Sequence, residues 1–152
     1  MKKKIFLLLF FLFLSSCGYE AIYSKKNSIN YNFSISELNL IGDRDVNLKI
    51  KQSLNSYTVS KKNKNFKIKI SSMSTKAVTA NDTTGDAISF KNTVAINVEI
   101  STNGKLKDNF TISESFNYNN NANKFSLKKY EREIKSNLAE TISEKLIFKI
   151  SN

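Results

Sequence analysis

Histidine, proline and tryptophan are absent from the 152 residues, cysteine occurs once, and there are only four glycines. Without histidine the chain has neither the commonest general base nor the commonest metal ligand. A lone cysteine excludes an intrachain disulfide framework and a thiolate zinc cluster. The glycines are isolated, so there is no glycine loop to cradle a phosphate. No pair of carboxylates stands at a spacing that suggests hydrolysis. These absences remove most hydrolase and metalloenzyme chemistry, and the chain is expected to be no enzyme and to need no cofactor or metal.

Arginine is scarce as well. Of 24 basic residues only Arg44 and Arg132 are arginine and 22 are lysine. The net charge of +11 would suit a polyanion partner. Arginine, however, is the residue preferred for bidentate phosphate and base recognition. Lysine, asparagine (20 residues), isoleucine and phenylalanine are all abundant and all have A/T-rich codons. A biased genome gives this balance without selection for nucleic acid, so no nucleic-acid partner is expected. The length fits one domain with a sizeable core.

What is present is most specific at the N-terminus. Lys2, Lys3 and Lys4 precede the unbroken apolar run Ile5 to Leu14. Ten helical residues span about 15 Å, half of a hydrocarbon core of roughly 30 Å, so the run is no membrane span. Charge, short apolar run and the small residues Ser15 and Ser16 together make a secretory signal peptide. Leu14-Ser15-Ser16-Cys17-Gly18 then resembles the lipobox of bacterial lipoproteins. In such proteins the cysteine thiol is alkylated with diacylglycerol, the leader is cut before it, and the new amine is acylated. The competing reading is an ordinary signal peptide with a chance cysteine beside its cleavage site. Several acyl chains would anchor the chain far more firmly than the marginal binding of one. By the usual lipoprotein sorting rule, Gly18 in place of aspartate points to the outer membrane. Residues 1–16 are thus expected to be the leader, 17–30 the lipidated N-terminus and tether, and 31–152 a single domain. Cleavage removes Lys2, Lys3 and Lys4, which takes three charges from +11 and leaves +8.

The domain opens on an alternating strand, Tyr31, Phe33 and Ile35, whose phase shifts to Leu38 and Leu40 through a bulge near Glu37. Gly42 and Asp43 form a turn and helix start. Val46, Ile50, Leu54 and Tyr57 make one helical stripe, with Leu48 off it. A loop from Ser60 to Asn65 leads to a strand with Phe66, Ile68 and Ile70 on one side and Lys67, Lys69 and Ser71 on the other. A third strand is expected over about Ser89 to Ser101 and a fourth over Asn109 to Tyr118. Asn103-Gly104 marks a hairpin between them. A bare two-residue loop would put their apolar faces on opposite sides, so an odd loop with a G1-type bulge is expected, pairing Val98 with Phe110 and Phe90 with Tyr118. A last helix of some twenty residues, capped by Ser126, carries Leu127, Tyr130, Ile134, Leu138, Ile142 and Leu146. The order predicts an α+β two-layer sandwich, a four-stranded mixed sheet with two helices on one face.

Several of these features together resemble one family. They are the lipobox cysteine with Gly18-Tyr19 and Ile22-Tyr23, the six-element order, and Ser115-Phe116-Asn117-Tyr118 ahead of an asparagine run and a long helix. The chain is similar to LptE, the lipopolysaccharide-assembly lipoprotein, in its alphaproteobacterial form. Glu20-Ala21 stands where related members often have proline, and family arginines are mostly lysine here. The resemblance implies a lipid-anchored protein of the outer membrane that plugs the LptD β-barrel, assists its assembly and helps deliver lipopolysaccharide to the outer leaflet. The alternative is another outer-membrane-anchored periplasmic scaffold with no link to lipopolysaccharide.

Cys17 is the expected lipidation site. Lys67, Lys69 and Lys91 project from the uncovered sheet face, and Lys105 and Lys107 flank the hairpin tip. Each could meet a lipopolysaccharide phosphate as a point charge. The plainer reading of each is a solubilising surface lysine. Glu114 lies in phase with the apolar face of its strand, so it is expected either to lie beyond the helices or to meet a lysine.

Overall fold

Alternation of apolar and polar residues becomes two unlike sheet faces. The computed structural model describes residues 32–59 and 62–152, so the leader, Cys17, the tether, Tyr31 and Lys61 lie outside the described residues. The elements are β1 (Phe33–Gly42), α1 (Arg44–Val59), β2 (Lys64–Asn81), β3 (Ala87–Thr102), β4 (Lys105–Asn119) and α2 (Lys124–Ser151). The sheet order is β1-β2-β3-β4, with β1 parallel to β2 and the other pairs antiparallel. α1 packs over β1 and β2, α2 over β3 and β4, and the helices touch each other on that one face. This is the expected mixed-sheet α+β fold.

The core lies between helices and sheet. Val46, Ile50 and Leu54 of α1, Ile70 of β2, and Val94, Ile96 and Val98 of β3 are all within a layer that water does not reach. Ile142 and Leu146 of α2 close it. Burying each such side chain contributes roughly 1.5–3 kcal/mol before entropy is counted. Tyr57 completes the α1 stripe by stacking on Phe33, with ring centroids 4.7 Å apart. Leu48, off the stripe, is exposed.

Several boundaries differ from the sequence expectation. β2 starts at Lys64 and runs to Asn81, well past Ser71. β3 and β4 are longer at both ends than expected. The β3–β4 loop has two residues, Asn103 (φ 52) and Gly104 (φ 76), not an odd number. Parity is restored inside β4, where Lys107 is an extra residue between the pairs Ser101–Leu106 and Ile100–Asp108. The pairs Val98–Phe110 and Phe90–Tyr118 form as expected. In β1 the bulge is at Ser36, between Ile35 and Glu37. α2 is 28 residues long and its N-cap is Asn123, not Ser126. The Asn123 side chain accepts from the Phe125 and Ser126 N–H groups.

Gly42 fixes where β1 ends. Its φ of +104 favours glycine, and a Cβ there would stand 1.9 Å from the Ser72 carbonyl oxygen. The chain turns away at once, Asp43 N–H donates to that carbonyl, and the Asp43 carboxylate caps α1 by accepting from Asp45 and Val46 N–H. Beyond Ser72, β2 continues with no β1 beside it.

Candidate functional site

The helix-free face of the sheet is open to a partner, and strand alternation decides what stands on it. Glu37 and Asn39 of β1, Lys67, Lys69 and Ser71 of β2, and Asn97 and Glu99 of β3 share it with Thr111 and Ser113 of β4. These groups are largely paired across strands. Lys67 Nζ lies 2.7 Å from Glu37 Oε2 and Lys69 Nζ 3.5 Å from Glu99 Oε2. Thr111 donates its hydroxyl to Asn97 Oδ1 at 2.6 Å. Such half-exposed ion pairs add little stability, about 0–1 kcal/mol each. Their effect is to neutralise the face.

The five candidate lysines do not form one cluster. Lys67 and Lys69 border a shallow cleft of about 420 Å³ with Glu37, Glu99 and Leu106. Lys105 and Lys107 stand at the adjoining tip, and Lys107 Nζ lies 4.6 Å from the centroid of the Phe66 ring. Lys91 faces the same side, opposite Ala77 and Asn117, but lies about 26 Å along β3 from Glu99 at roughly 3.3 Å per residue. No carboxylate pairs with Lys91 among the described residues. Cys17 lies outside the described residues.

The helix face carries ion pairs that periodicity alone does not find. Glu114 does meet a lysine, Lys145 of α2. Lys76 Nζ lies 2.5 Å from Glu131 Oε1, which also accepts from the Tyr118 hydroxyl at 2.9 Å. Burial raises the Tyr118 hydroxyl pKa above its ordinary value, and the Glu131 charge raises it further. Burial also pushes Glu131 up, but Lys76 and Tyr118 outweigh it and hold the carboxyl low. Asp43 behaves alike: burial raises it, while the Val46 N–H and Lys135 bring it below its ordinary value. These groups hold α2 to the sheet and to α1. The one signal for them in sequence is a charged residue in phase with an apolar stripe, as at Glu114 and Lys76.

Among the described residues no cluster of acidic or thiol side chains could hold a metal ion, and no helix is long and apolar enough to cross a membrane.

No protein-family model matches the chain, and no curated protein matches it by sequence. Solved structures do match it by shape, among them bacterial lipoproteins. A minor lipoprotein from Acinetobacter baumannii superposes with a TM-score of 0.59 at 12% identity, covering 78% of this chain and 92% of its own. Rare lipoprotein B from Shewanella oneidensis gives a TM-score of 0.54 at 12% identity, over 74% of this chain and 95% of its own. A lipoprotein from Caulobacter crescentus gives 0.53 at 11% identity, over 76% and 88%. The chain shares their fold.

Proposed function

We propose that the protein is a lipid-anchored outer-membrane component of the LptE type, seated in the lumen of an LptD-like β-barrel. There it would assist barrel assembly and the passage of lipopolysaccharide to the outer leaflet. One observation carries this reading: a chain whose Leu14-Ser15-Ser16-Cys17-Gly18 resembles a lipobox shares the fold of rare lipoprotein B, a name of the LptE family. The uncovered face supports it, since a barrel lumen is polar and most of this face is neutralised charge and Ser/Thr/Asn, with Ile41 and Met73 exposed among them. On this reading the protein binds and scaffolds and performs no catalysis.

Among the lysines, Lys91, Lys105 and Lys107 are the simpler candidates for lipopolysaccharide phosphates. Lys67 and Lys69 would first have to give up Glu37 and Glu99. That neutralisation is the observation favouring the second reading, an outer-membrane-anchored scaffold that never touches lipopolysaccharide.

Affinity purification from detergent-solubilised outer membrane tests the proposal. A large β-barrel protein is expected to co-elute with the tagged chain. Recovery with periplasmic proteins only would sink it and support the second reading.

A further inference from the structure

The described chain begins at one end of the sheet, and that end has an unusual surface. Phe33 is paired with Lys64, so the segment leading back to Cys17 leaves from this edge. The register brings the β3–β4 tip to the same end, because Lys67 lies opposite Ser101 and Ser101 opposite Leu106. Tyr57 stacked on Phe33 brings the last turn of α1 there as well. Two exposed apolar side chains result, Leu106 at 65% and Val59 at 80% accessibility. Leu106 stands between Lys105 and Lys107 in the chain, and Lys64 of β2 is exposed at the same end of the sheet. Among the described residues no carboxylate pairs with Lys64, Lys105 or Lys107.

The opposite end is different in charge. β2 spans 18 residues, so the β2–β3 turn lies about 56 Å away at roughly 3.3 Å per residue. That turn carries Asp82 and Asp86; Val78 and Ile88 beside it are half exposed, so the two ends differ in the charge of their turns and in which one the tether joins.

We propose that the tether end of the domain, Lys64, Lys105, Lys107, Leu106 and Val59, rests on an anionic lipid bilayer surface. Exposed apolar side chains at the same end of the domain as lysines without a carboxylate partner are the chemistry of an interfacial membrane contact. From Cys17 to Asn32 the chain can reach at most about 50 Å. An anchored chain therefore holds this end near headgroups at high effective concentration. The inference rests on the reading of Cys17 as the lipidated residue and does not need the barrel partner.

The test uses the mature polypeptide, Gly18 to Asn152, without acyl groups, so that the contact is measured apart from the anchor. It is sedimented with vesicles of phosphatidylcholine alone or mixed with phosphatidylglycerol. The chain should sediment with the mixed vesicles and be released in about 1 M salt, where the screening length is about 3 Å. At roughly fivefold per lysine, the triple change Lys64→Gln, Lys105→Gln and Lys107→Gln should weaken partitioning on the order of 100-fold. The triple Lys124→Gln, Lys128→Gln and Lys129→Gln, at the N-terminal end of α2, should leave it nearly unchanged. Circular dichroism of both triples should match that of the parent. Equal loss from the two triples would overturn the proposal, as would equal sedimentation with neutral vesicles or none with either. Sedimentation without vesicles would make the surface a self-association site instead. Binding to lipopolysaccharide in detergent but not to phosphatidylglycerol vesicles would move these lysines to the transport reading. Mass spectrometry of the N-terminal peptide reports on Cys17 independently.

Discussion

The two ends of the sheet solve the same problem, closing a hairpin, by different chemistry. At the β3–β4 tip the backbone does it: Asn103 and Gly104 adopt positive φ, and a bulge at Lys107 corrects the facing. At the β2–β3 tip a side chain does much of it. Asp82 Oδ1 accepts from Thr84 N–H, the Thr84 hydroxyl and Asp86 N–H. One tip carries Lys105 and Lys107, the other Asp82 and Asp86. Between them the sheet changes character at Ser72, where β1 stops. Below it β2 alternates strictly between buried and exposed, and above it Thr75 to Asn81 are exposed throughout. The lesson is that one long strand can be core for half its length and a solvated extension for the rest.

The sharpest way to break this contrast is at the boundary. Gly42→Ala places a Cβ 1.9 Å from the Ser72 carbonyl at a φ of +104. It should cost about 4 kcal/mol or more, or abolish folding, as seen by thermal melting. Next come the halves themselves. Ile70→Ala removes a fully buried side chain below the boundary and should cost about 2–5 kcal/mol. Val78→Ala, above it and half exposed, should cost under about 1 kcal/mol in the same denaturant titration. Similar losses at both sites would mean that the far half is packed as firmly as the near one.

Smaller effects come from the caps and charges. Asp43→Ala should cost about 1 kcal/mol through loss of the α1 N-cap. The native-state pKa values of Asp43, Glu131 and Asp82 are all lowered. Their contribution is therefore present above the ordinary carboxylate range near pH 4, and lost as pH falls through the lower native values. Tyr118 and Lys135 are raised, so stability is also lost as pH rises past about 10. Melting temperature against pH should show both flanks, and the acid flank should shrink in the Asp43→Ala variant. Least of all, Asp82→Ala should speed amide exchange at Gly85 and Asp86 and leave the β3–β4 tip unchanged.

The near half of the sheet is legible in sequence because each buried residue is followed by an exposed one, as in Phe66-Lys67-Ile68-Lys69-Ile70. Parity along β3 and β4 goes further and requires the correction at their hairpin, though not its position. The far half of β2 is illegible for a physical reason: with both faces wet, Thr75 to Asn81 have no alternation to display. The start of α2 is hidden similarly, since Lys124 to Ser126 bury nothing and only the Asn123 side chain marks the helix entry. Candidate lysines can be assigned to a face from sequence, but their pairing cannot. Whether Lys67 meets Glu37 depends on the Ser36 bulge and the parallel register of two strands 30 residues apart.

That parallel pairing also sets an order of events in time. β2, β3 and β4 are joined by short turns and can zip up locally, whereas β1 must wait for α1 to form and for β2 to exist beside it. β1, the first strand in chain order, is thus expected to be the last to find its place. In pulsed hydrogen exchange during refolding, amides of β2 and β3 should become protected before those of Phe33 to Gly42. Until β1 pairs, the outer edge of β2 remains an open strand template, a surface that invites mispairing.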